Sequence, residues 1–70
     1  MNRVVVVSDM MSSVAYDPTI AVLEVEFRRG SVYQYLGVPR DHYDALLAAP
    51  SKGRFFNAHV RTTFPCRRLK

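Results

Sequence analysis

Tryptophan is absent from this 70-residue sequence, cysteine occurs once and glycine only three times. A lone Cys66 cannot close an internal disulfide, so a buried core must hold the fold, and a cytoplasmic setting is expected. No apolar run approaches the roughly 18 residues of a membrane span, and no membrane partner is expected. The first nine residues carry one arginine and a run of four valines, short of the roughly 7–15 apolar residues of a signal peptide. There is no glycine-rich phosphate loop and no Gly-x-Ser-x-Gly elbow. His42 and His59 each lack a second ligand one helical turn away, so no metal is expected. Cys66 and His59 would form a nucleophile–base pair only if the fold brought them together. Asp41 and Asp44 read as dipole complements at a helix start rather than as an acid–base pair. The chain reads as a non-enzyme without cofactors.

What is present suits one small folded domain spanning residues 1–70. Hydrophobic residues make up 49% and charged residues 23%, close to the globular norm. A chain this short buries only about 60% of its unfolded surface. The charges are unevenly placed. Residues 1–51 hold four arginines against six acids, whereas residues 52–70 hold six basic residues and no acid. A basic third on a small domain suits solubility, but equally a polyanion or the acidic surface of a protein.

Val4 to Val7 is a β-branched run without alternation, fitting a strand buried on both faces or an arm that pairs elsewhere. Met10 to Ser13 reads as punctuation, and Val14 to Asp17 as a short strand closed by Asp17-Pro18. Leu23, Val25 and Phe27 alternate with Glu24 and Glu26. The three residues Arg28-Arg29-Gly30 then suit a hairpin loop with Gly30 in the left-handed region. That loop sets Val25 opposite Tyr33 and Leu23 opposite Tyr35, gathering one apolar face. Pro39 suits a helix start, and Tyr43, Leu46 and Leu47 share one helix face. Pro50 stops this helix, and Ser51 suits the N-cap of a second one over Lys52 to Val60. Thr62 to Pro65 reads as an extended segment before a basic tail. The expected fold is α+β: a three-stranded, mainly antiparallel sheet with two helices packed on one face. Its expected core is Leu23, Val25, Phe27, Tyr33, Tyr35, Tyr43, Leu46, Leu47 and Phe56.

Several of these residues form a longer pattern. Tyr16-Asp17 is followed by Leu23-x-Val25-x-Phe27-x-x-Gly30-x-x-Tyr33-x-Tyr35, then Gly37-Val38-Pro39, Tyr43, Leu46-Leu47 and Ser51-Lys52-Gly53-x-Phe55-Phe56-Asn57. From Val14 to Phe64 the chain resembles the KTSC domain, named for its occurrence at the C-terminus of some lysyl-tRNA synthetases. The resemblance implies kinship with stand-alone small proteins of bacteria and phages, and an RNA role by association. A valine arm (residues 1–9) and a basic tail (residues 65–70) flank the pattern and are expected to carry what is particular to this protein.

Two binding sites are candidates. Ser51 as N-cap would leave the N–H groups of Lys52, Gly53 and Arg54 facing outward, an anion seat to which Lys52 and Arg54 add charge. With Arg61, Arg67 and Arg68 they form the expected contact with RNA or DNA phosphates. The alternative for Ser51-Lys52-Gly53-Arg54 is a plain interhelical turn. Val4, Val5, Val6 and Val7 either complete the core or dock on a protein by strand addition. The expected function is a monomeric binding module in nucleic-acid transactions. The alternative is a small regulator docking on a protein machine such as RNA polymerase to modulate transcription.

Overall fold

Gly30 sits at a φ of +100°, a conformation that side chains disfavour, and it closes the three-residue turn between two strands. The Phe27 N–H donates to the Ser31 carbonyl across that turn at 2.9 Å. In the computed structural model, which describes residues 1–70, this hairpin is the centre of the sheet. Its strands are β3 (Val22–Phe27) and β4 (Val32–Leu36). Leu23 lies opposite Tyr35 and Val25 opposite Tyr33, the register that the alternation of the sequence demands.

The sheet has five strands rather than the expected three, all antiparallel, in the order β1-β2-β3-β4-β5. The additions are β1 (Asn2–Val5) and β5 (Cys66–Arg68), the arm and the tail. Neither shows alternation because each is an exposed edge strand, held to one neighbour by main-chain hydrogen bonds. Strand β2 (Met11–Asp17) also starts earlier than expected. Its serines resemble a turn, yet Met11 is fully buried and Ser13 is tied by side-chain bonds to Arg3 and Glu26 on the other face. A bulge between Met11 and Ser13 absorbs the irregularity.

Helices α1 (Arg40–Ala48) and α2 (Lys52–His59) follow β4 and cover one face. Tyr16 fastens α1: its hydroxyl donates to the Val38 carbonyl, and its ring stacks on Tyr43 at 5.0 Å. Phe56 fastens α2, meeting Phe27 edge-on at 5.6 Å and Tyr35 at 5.1 Å. No helix is long and apolar enough to cross a membrane. The core holds seven of the nine expected residues, while Tyr33 and Leu47 are only partly buried. Met11, Val14, Tyr16, Val38 and Val60 join it.

The run Val4 to Val7 is not buried on both faces. Val6 belongs to the core, whereas Val5 is 83% and Val7 92% exposed. The sheet's open face carries a row across all five strands, Arg3, Ala15, Glu24, Gln34 and Arg67, polar at every place but the buried Ala15. Arg3 pairs with Glu24, Gln34 donates to Glu24 at 2.9 Å, and Arg67 donates twice to Gln34 at 2.8 and 3.0 Å. Glu24 is thereby satisfied within the row, and Glu26 accepts from the Ser13 hydroxyl at 3.0 Å.

This arrangement ranks side chains by their effect on stability. Phe56→Ala should remove about 3–5 kcal/mol of unfolding free energy, as for a buried aromatic. Val7→Ser, at an exposed position, should stay within about 0.5 kcal/mol. Denaturant titration of both variants checks the ranking, and comparable losses would contradict it.

Candidate nucleic-acid interface

The seven residues expected to contact phosphates do not form one patch. Arg67 lies on the open face, bound to Gln34. Ser51 is the N-cap of α2, and its hydroxyl accepts the Arg54 N–H at 3.4 Å. Lys52 turns away and donates through Nζ to the Ala49 carbonyl at 2.9 Å, closing the end of α1. Ser51, Lys52 and Gly53 line a cleft of about 350 Å³ with Ser8, Asp9 and Arg28. A side chain at Gly53 would meet only Met10 at ordinary contact distance, so close packing does not require this glycine. The carboxylate of Asp9 and the occupied Arg54 N–H both weaken this place as an anion seat.

A larger cleft of about 550 Å³ adjoins it, sharing Asp9, Met10 and Arg28. Its remaining lining is Phe27, Arg29, Tyr33, Tyr35, Phe56, Arg61 and Cys66. Three elements bring the arginines there. The β3–β4 turn supplies Arg28 and Arg29, and the chain leaving α2 supplies Arg61. Arg68 of β5 lies over the Tyr33 ring at 6.0 Å, and Arg29 over Phe27 at 5.8 Å. The arginines are steadied by neutral acceptors: Arg28 by the Ser8 carbonyl, Arg29 by Ser31, Arg61 by Asn57. Only Arg3 and Arg40 form ion pairs with carboxylates. The cleft therefore combines aromatic walls with several guanidinium groups that form no ion pair with an Asp or Glu side chain, against the single carboxylate of Asp9 in its lining.

Of the expected residues, Arg61 and Arg68 come together here. Phe27 and Tyr33, expected as core, line it too, and Arg28 and Arg29 belong to the same place and were not foreseen. Their signal was the hairpin itself, since Arg28-Arg29 must emerge where the aromatic face ends.

The sequence profile of the KTSC domain matches residues 7–64. The chain belongs to the KTSC domain family. It is 47% identical over 57 residues to a protein of Stutzerimonas stutzeri, covering 81% of this chain and 80% of that one. It is also 39% identical over 54 residues to a lysine–tRNA ligase of Nostoc, covering 77% of this chain but only 10% of the ligase. The crystal structure of a KTSC domain protein from Yersinia pestis superposes with a TM-score of 0.95 at 40% identity. That match covers 99% of this chain and 97% of the other. That superposition takes in strands β1 and β5, whereas the family profile stops short of both.

The cleft also sets an alkaline limit. Burial pushes the Tyr35 phenol up to about 12, with Cys66 adding to the rise and Arg61 opposing it. Burial raises Tyr43 as well. The folded domain holds these protons more tightly than the unfolded chain, whose phenols titrate near 10. Stability should therefore be unaffected below about pH 10 and fall as pH rises toward about 12. Tyr35→Phe should flatten that decline in denaturation midpoints measured across this range, and an unchanged slope would contradict the assignment.

Proposed function

We propose that this KTSC domain is a non-catalytic module that binds the phosphates of RNA or DNA. The observation that carries this reading is the gathering of Arg28, Arg29 and Arg61 on one cleft, with Arg68 at its rim and none of the four paired to an Asp or Glu side chain. Guanidinium groups match phosphate oxygens in bidentate geometry, and unneutralised ones hold the stronger field. The net charge of +4 draws a polyanion from a distance. The presence of a similar segment in lysine–tRNA ligases supports the same direction. Arg54, in the first turn of α2, lines neither cleft and is left out of this contact.

A second reading draws on the exposed Val5 and Val7 at the open edge of the sheet. An apolar edge strand suits strand addition by a protein, including a machine such as RNA polymerase.

The first reading has a quantitative signature. Affinity for an oligonucleotide should fall with salt, the logarithmic slope being about −0.7 per neutralised phosphate on single strands and about −0.9 on duplex DNA. Arg28→Glu and Arg61→Glu should weaken binding for every base sequence, and Arg67→Glu much less because Arg67 faces away. Fluorescence anisotropy across a salt series measures all three. Absence of salt-sensitive binding by the wild-type domain at low ionic strength would overturn the reading.

A further inference from the structure

Beyond phosphate contact, we infer that the aromatic cleft seats one unpaired nucleobase, so that the preferred ligand is a single strand rather than a duplex. The inference rests on the nucleic-acid reading above and deepens it. Phosphate binding alone needs only exposed cations, and eight of the ten basic residues are free of carboxylate partners. Three of them nevertheless converge on a cavity whose walls are aromatic. At about 550 Å³ the cavity lies within the range of small-ligand sites and holds a base with its sugar.

The rings are not all committed to the core. Phe27 and Tyr35 are buried, but Tyr33 is only partly covered, and its ring stands at the wall with the Arg68 guanidinium over it at 6.0 Å. Tyr33 lies roughly parallel to Tyr35, 25° between planes, and meets Phe27 edge-on at 5.8 Å, so it enters the wall as the least covered ring of an aromatic cluster. A planar base laid on that wall replaces water against an aromatic face. The cations then stand on both sides of the base, Arg28 and Arg29 at the hairpin turn and Arg61 at the end of α2. That is where the phosphates on either side of a bound nucleotide would run. Asp9, the one carboxylate lining the cleft, adds an acceptor for amino groups of the base. In a duplex the base faces are stacked and closed to such a wall, whereas an unpaired base offers them.

The thiol of Cys66 provides an independent reporter, because it lines the same cleft and is exposed to reagents. The experiment measures anisotropy with a fluorescent single-stranded RNA, its DNA equivalent and the matching duplex. In parallel, alkylation of Cys66 by iodoacetamide is timed with and without the unlabelled strand. Single strands of either sugar should bind more tightly than the duplex and should slow alkylation. Tyr33→Ala should weaken single-strand binding about 5- to 160-fold, the range for losing one base–aromatic stack. Tyr33→Phe should retain it, since the ring face remains. Equal binding of single strand and duplex, with Cys66 alkylated at an unchanged rate under saturation, would overturn the base pocket and leave phosphate binding standing. Salt-insensitive or absent binding of every oligonucleotide would overturn both. Should Tyr33→Ala unfold, the alkylation rates and the Tyr33→Phe affinity still decide between these outcomes.

Discussion

The pairing of β3 with β4 is the constraint on which the rest of the molecule depends. A one-residue slip would turn Tyr33 and Tyr35 to the face of Glu24 and Glu26 and take from Phe56 of α2 its contact with Tyr35. The Gly30 turn prevents that slip by closing at a positive φ that fixes the loop at three residues. In the observed register Phe27 and Tyr35 meet Phe56, which seats α2 on the sheet. The same turn delivers Arg28 and Arg29 to the mouth of the space that α2 leaves uncovered. Core and candidate site are therefore consequences of one local geometry.

How legible each part was in the sequence follows from how it is held. The hairpin register, the Ser51 cap and the helix faces depend on side-chain spacing, and the sequence spells that spacing out. The strands at the two edges depend on main-chain hydrogen bonds, such as Leu36 N–H to the Pro65 carbonyl and Leu69 N–H to the Val32 carbonyl. Any residue makes those bonds, so Cys66–Arg68 carried no mark of being a strand. The serines of β2 misled for a related reason: Ser13 bonds sideways to Arg3 and Glu26 instead of turning the chain. The site was half legible. Counting charge by sequence segment pointed to the C-terminal third, but space groups Arg61 and Arg68 with Arg28 and Arg29 and sends Arg67 to the far face.

That division shows how a small basic domain uses arginine in two ways. Arg3 and Arg67 end a polar row that satisfies Glu24 and Gln34 and finishes the open face of the sheet. Arg28, Arg29, Arg61 and Arg68 lean on neutral groups and aromatic rings, which fix their positions without cancelling their charge. Only the second kind leaves a field for a ligand to feel. The KTSC domain thus separates the cations that complete its structure from those that remain available.

The central claim is that a nucleic acid meets this domain at the arginine-rimmed aromatic cleft. Mapping amide and ring shifts by NMR while a short single-stranded RNA is added tests it most directly. The account predicts changes concentrated at Phe27, Arg28, Arg29, Tyr33, Arg61, Cys66 and Arg68, with β1 and Arg67 little affected. Changes centred instead on Val5 and Val7, or on the open face around Gln34 and Arg67, would contradict it.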